Sequence, residues 1–217
     1  MGLGSVGMNA LCFVIVGSLS LCALNPVLPL IADAGVFCHD GVYYIMGVGT
    51  SGSVYTSQDL VHWEGPKHAF SMDNAWTSGP SAANTEIHAC DFVLHNGVFH
   101  PYWSVNHGPL RQIGHAIADN PAGPYREPVR DIPFDGRIDP QCFVDDDGSL
   151  YFYTVKFSLG NEIYGQTMAN PWELSGRPKL LLRTVPDSWE NLDSPPNFVN
   201  EAPFVVKYRN RYYMLYN

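Results

Sequence analysis

A short hairpin, written four times along the chain, limits what this sequence can fold into more than any other feature. In its fullest form, residues 137–153, it reads RIDPQCFVDDDGSLYFY. A carboxylate beside a proline (Asp139-Pro140) leads an apolar run, a turn over Asp145 to Gly148 and the aromatic run from Leu150 to Tyr153. Asp-Gly or Asn-Gly between two β-prone runs is a strong hairpin signal. The other copies turn at Asp40-Gly41, at Asn96-Gly97 and near Asn210. The four turn residues Gly41, Gly97, Gly148 and Asn210 are spaced by 56, 51 and 62 residues. Each of the first three copies continues into a second hairpin that closes on an Asp or Asn turn and an aromatic: Trp63, Tyr125 and Trp172. Four short strands per unit at this spacing are the mark of a propeller blade, which buries its faces only against neighbouring blades. The fourth copy stops in its second strand. The expectation is an all-β propeller of about three and a half blades, the N-terminal part of a longer protein, with strand edges exposed.

Composition agrees with a turn-rich β protein: 20 Gly, 17 Pro and 13% aromatic residues in 217. A net charge of -9 with only 12 Lys and Arg leaves no basic footprint for nucleic acid. It suits a neutral or cationic substrate. The five cysteines have no zinc-like spacing, and Cys38, Cys90 and Cys142 read as small core residues. Residues 11–23 are nearly all apolar or small, long enough for a signal-peptide core and too short to span a membrane. The first basic residue is Lys67, so the usual positive flank is absent. The chain therefore divides into a leader at 1–24 and a propeller at 25–217, and the protein is expected to be secreted or periplasmic, with no membrane span in the mature chain.

The innermost strand of a blade starts near the propeller axis, where all blades converge. Counting back from the turn residue, Asp33 lies eight positions away, and His88, Asp139 and Glu201 nine. Three carboxylates from three blades would thus face one central pocket. Glycoside cleavage with inversion needs such an arrangement: one carboxylate activates water, another protonates the leaving oxygen, and about 6.5–9.5 Å separates them. A third acid nearby would raise the donor's pKa.

The segments Ala32-Asp33-Ala34-Gly35-Val36, Arg137-Ile138-Asp139-Pro140-Gln141 and Asn200-Glu201-Ala202-Pro203-Phe204 resemble the three acidic motifs of glycoside hydrolase family 43. The resemblance covers residues 25–217. It implies a five-bladed β-propeller that hydrolyses arabinose- or xylose-containing polysaccharides or oligosaccharides, with Asp33 as general base, Asp139 as pKa modulator and orienting group, and Glu201 as general acid. Two departures stand out. Ala34-Gly35 replaces the usual proline and small polar residue, and His88-Ala89-Cys90-Asp91 replaces a common Trp-Ala-Pro-acid run. The resemblance also implies no cofactor for the chemistry, and a structural calcium held through a histidine beyond Asn217.

Other residues have two readings each. An Asp before Pro by itself is a turn or cap residue, and only its repetition at matching positions argues for function. His88 lines the axis as a substrate contact or a satisfied core histidine. Asp91 neighbours the pocket or caps its strand. Trp76, in the irregular stretch 71–85, offers a sugar-stacking platform or a core aromatic. Asp145, Asp146 and Asp147 read as a solvated hairpin tip rather than a metal cluster, and Trp103 as core. His95, His100, His107 and His115 have no ligand spacing. No site for a metal is assigned in the chain. The alternatives to an inverting glycosidase are a non-catalytic carbohydrate-binding or interaction propeller, and a retaining fructan-type propeller glycosidase, whose carboxyls would lie about 5–5.5 Å apart.

Overall fold

Three of the four hairpin turns are two-residue turns with both residues left-handed. The φ angles are 49° and 76° at Asp40-Gly41, 51° and 79° at Asn96-Gly97, and 49° and 59° at Arg209-Asn210. This geometry matches the twist of the flanking strands, and Asn, Asp and Gly adopt it most readily. The third copy differs. Its ladder closes with Val144 opposite Leu150 and a bond from the Asp145 amide to the Ser149 carbonyl, so its loop is one residue longer.

The computed structural model describes residues 28, 31–50, 52–70, 87–107, 110–129, 133–156, 160–185, 188–191 and 199–217. The leader at 1–24 and Trp76 lie outside them. The first sheet holds β1 (Ala32–His39), β2 (Val42–Val48), β3 (Ser53–Ser57) and β4 (Glu64–His68), in that order and antiparallel. The second holds β5 (His88–His95), β6 (Val98–His107) and β7 (Leu110–His115). The third holds β8 (Ile138–Val144), β9 (Leu150–Lys156), β10 (Glu162–Asn170) and β11 (Glu173–Arg183), and the fourth pairs β12 (Phe204–Tyr208) with β13 (Arg211–Leu215). The chain is all-β, with sheets that do not close a ring. One expectation needs correcting: the second blade has three continuous strands, and its outer edge is reduced to single bridges such as Ile117 with Arg126. Two cis-proline bonds, at Pro66 and Pro124, lie in these outer edges.

The core lies in the seams between blades. Met46, Val54, Phe70, Phe92 and Trp103 fill the first seam. Val93, Tyr102, Ile113, Leu150 and Phe152 fill the second, and Ile138, Val155 and Ile163 the third. Each such side chain stabilises the fold by about 1.5–3 kcal/mol through burial, so a blade depends on its neighbour. Trp103 is core, as expected, and Gly114 is its floor: a Cβ there would stand 2.2 Å from the indole. Of the three cysteines, Cys90 and Cys142 are buried, but Cys38 is exposed. It occupies the same strand position as the exposed Leu94 and Val144, and Val36, the first-blade match of the buried Cys142, is itself 53% exposed. This face of β1 is thus uncovered among the described residues, which corrects the reading of all three as core.

Every first strand carries the same irregularity. Between Ala32↔Val48 and Gly35↔Met46, two residues of β1 oppose one of β2. The same slip separates His88↔Ser104 from Asp91↔Tyr102 and Ile138↔Val155 from Gln141↔Tyr153. In the fourth blade Glu201 and Asn217 exchange backbone bonds of 2.8 and 3.1 Å before Phe204↔Leu215. These are β-bulges, which re-aim side chains at rims. The residue at each bulge is left-handed: Asp33 (φ 47°), Ala89 (43°), Asp139 (53°) and Ala202 (50°).

Candidate active site

The bulges correct the register counted from the turns. Because the third loop is one residue longer, Asp139 matches Asp33 rather than His88, while His88 and Glu201 share the position just before the bulge. Two kinds of position therefore feed the axis, each used twice. Together they line a cavity of about 390 Å³ that Asp33, His88, Asp91, Asp139, Gln141 and Glu201 enter from all four blades.

Contacts across the seams hold these groups. The His88 ring Nδ1 lies 3.2 Å from Asp33 Oδ2, and the Asp33 side chain is 54% exposed. The Asp139 amide donates to the buried Ser104 hydroxyl at 2.6 Å, and Asp139 Oδ2 accepts the Ala202 amide at 3.0 Å. Glu201 Oε1 accepts from the Asn161 amide at 2.5 Å. Two positions past the left-handed residue of each bulge, Asp91 Oδ2 accepts the Cys142 amide at 2.8 Å, and Gln141 clasps Val205 through both its backbone groups at 2.6 and 3.0 Å. Gly35 fills the matching place in the first blade, where a Cβ would meet the Cys90 carbonyl at 1.9 Å. The first seam closes by backbone proximity, the next two by side-chain bonds.

Burial sets the electrostatics. It pushes the Asp139 carboxyl up to about 6, with the charges of Glu201 and Asp33 adding to it and the Ala202 bond opposing. Burial raises Glu201 as well; the Asn161 bond opposes this, the Asp33 charge adds to it, and Arg111 opposes it. Asp91 rises to about 7 through burial, against its bonds from Cys142 and Phe92. A carboxyl kept protonated near neutrality can give a proton away, and an exposed carboxylate beside it can accept one.

The structure brings Asp33, Asp139, Glu201, His88 and Asp91 to one cavity. Asp91 does both things open to it, lining the cavity while binding the next blade's backbone. The hairpin tip is not simply solvated: Asp145 meets Lys207 and the Tyr212 hydroxyl, each at 2.5 Å, and Asp146 meets Lys207 at 2.9 Å. It clasps the fourth blade. His100 and His115 are buried in the second seam, their ring nitrogens 3.0 Å apart, and burial pulls both down, to about 4 and about 3. Asn161, Ser104 and Arg111 were missed; none stands in a patterned stretch. Among the described residues no set of three or more His, Cys, Asp or Glu side chains is gathered to hold a metal, and none of their helices is long and apolar enough to cross a membrane.

Blades whose inner bulges converge on three carboxylates define an acid-centred β-propeller. The sequence model of the glycosyl hydrolases family 43 matches residues 23–217, and the chain belongs to that family. It is 27% identical over 165 residues to a xylosidase/arabinosidase of Humicola insolens, covering 61% of this chain and 50% of that protein. It is 26% identical over 192 residues to an extracellular exo-α-(1→5)-L-arabinofuranosidase of Cellvibrio japonicus, covering 79% of this chain and 54% of that one. The crystal structure of an endo-1,4-β-xylanase from Bacteroides thetaiotaomicron superposes with a TM-score of 0.72 at 28% identity, over 86% of this chain and 63% of the other. The chain thus spans about half the length of the curated relatives named here.

Proposed function

We propose that the protein is a glycoside hydrolase that cleaves arabinose- or xylose-containing oligosaccharides or polysaccharides with inversion at the anomeric carbon. The observation that carries this reading is the meeting of Asp33, Asp139 and Glu201, from three blades, in one cavity. Asp33, the exposed carboxylate, takes a proton from water as the water's oxygen bonds to the anomeric carbon. Glu201, whose proton affinity burial raises, gives a proton to the departing glycosidic oxygen as that bond breaks. Asp139 stands between, its backbone and carboxyl both tied to neighbouring blades, and shapes the charge around the other two. His88 contacts the sugar and orients Asp33. The relatives' names support arabinofuranosides and xylosides as substrates. We also place the protein outside the cytoplasm, since residues 11–23 fit an export signal and one relative is extracellular.

Aryl α-L-arabinofuranosides and β-D-xylosides test this directly. Proton NMR of the first-formed sugar is expected to show the inverted anomer. Glu201→Gln should lower kcat by about 10²–10⁴-fold on substrates with poor leaving groups. A retained anomer would move the retaining alternative ahead. Full activity in Glu201→Gln would remove Glu201 from its role.

A further inference from the structure

The residue that touches the candidate proton donor comes from a different blade, and it is not one of the three acids. Asn161 precedes β10, is 2% exposed, and points its Nδ2 at Glu201 Oε1, 2.5 Å away. Asp139 acts on the next residue instead, accepting the Ala202 amide with Oδ2. The third blade therefore grips the fourth at two adjacent points, the backbone at 202 and the side chain at 201. With the Glu201 backbone fixed by its paired bonds to Asn217, only the side-chain torsions remain free. The Asn161 amide closes them.

We infer that Asn161 is the positioning residue of Glu201, holding its carboxyl in one orientation and favouring its ionised form once the proton has left. The catalytic half of this inference rests on the reading of Glu201 as general acid. The physical half does not. A donor held against a carboxylate oxygen stabilises the charged form, and a buried amide has no competing water. The groups facing Glu201 are Asp33 from the first blade, Arg111 from β7, Asp139 from β8 and Asn161 itself; His88 faces Asp33 and Asp139. Asp33 disfavours the anion, Arg111 and Asn161 favour it, and the Glu201 charge in turn raises Asp139. Of the four, Asn161 is the one hydrogen-bonded to it.

The test is a carboxyl titration by carbon NMR on the whole chain labelled at Glu Cδ, with Glu201→Gln to assign the resonance. Asn161→Leu removes the donor at similar size, and Asn161→Asp replaces it with an acceptor of the same shape. The Glu201 midpoint is expected to move to higher pH in Asn161→Leu and further in Asn161→Asp. In the active enzyme the alkaline limb of kcat/KM should move the same way, because a general acid works only while protonated. kcat should fall about 10-fold to 100-fold with KM little changed, as for a misplaced catalytic group. An unmoved midpoint in either folded variant overturns the inference. If Asn161→Leu does not fold, the isosteric Asn161→Asp decides alone. A moved midpoint in a protein whose activity ignores Glu201→Gln keeps Asn161 as the partner of Glu201 and discards the catalytic reading. An unmoved midpoint with a dead Glu201→Gln does the reverse.

Discussion

Asp33 and Asp139 occupy the same place in the same bulge, with φ angles of 47° and 53°, yet they live in different surroundings. Asp33 is more than half exposed and meets one side chain, the His88 ring. Asp139 is enclosed, tied through its amide to Ser104 and through its carboxyl to Ala202, and burial lifts its proton affinity. The backbone supplied two identical sites; the seams made them unlike. The surroundings of each such carboxyl come from the neighbouring blade, not from the strand that carries the residue.

Three experiments press on that contrast. The largest effect is expected from Asp33→Asn, which should lower kcat by about 10²–10⁴-fold with substrate binding retained, read from steady-state kinetics and from calorimetric titration with a xylo- or arabino-oligosaccharide. Intact turnover would mean that exposure does not mark the base.

The next effect is on stability. An acid whose folded pKa lies above its unfolded value binds its proton more tightly when folded, so its contribution is favourable below about 3.8 and is lost as pH rises to about 6. Asp139→Asn removes this loss. Urea unfolding at pH 4 and pH 7 should show the variant gaining on the parent by on the order of 1–3 kcal/mol at the higher pH. Parallel curves would show that the enclosure of Asp139 does not cost the fold anything. The smallest effect concerns the bulges without acids. Ala89 is left-handed at φ 43°, a conformation that carries a Cβ penalty, and Ala89→Gly should stabilise by roughly 0.5–1 kcal/mol in thermal unfolding.

Much of this was legible in the sequence because it rests on local rules. Asp40-Gly41 and Asn96-Gly97 announce their turns, and alternation in Leu150-Tyr151-Phe152-Tyr153 announces a half-buried strand. Convergence of Asp33, Asp139 and Glu201 followed from repetition. The register did not, because counting from Gly148 assumes equal loops, and the third loop holds one more residue. Cys38 was misplaced because its face of β1, shared with the exposed Val36, is not covered by another described sheet, and strand alternation alone does not tell which face is covered. Asn161, Ser104 and Gln141 act across seams, on partners 35 to 64 residues away, and nothing local marks them. The clasp of Asp145 on Lys207 was hidden in the same way, since a run of acids does not reveal its counter-ion.

The bulge recurs in all four blades, but only two of them place a carboxylate on it; the other two hold Ala89 and Ala202. The architecture thus keeps vacant sockets beside occupied ones, every one already bent to aim whatever residue it receives at the axis. An acid can be gained or lost there by one codon change, with no loop to remodel and no strand to re-register. A scaffold of this kind separates the invention of chemistry from the upkeep of shape, so new specificities can be tried one blade at a time while the other blades stand unchanged.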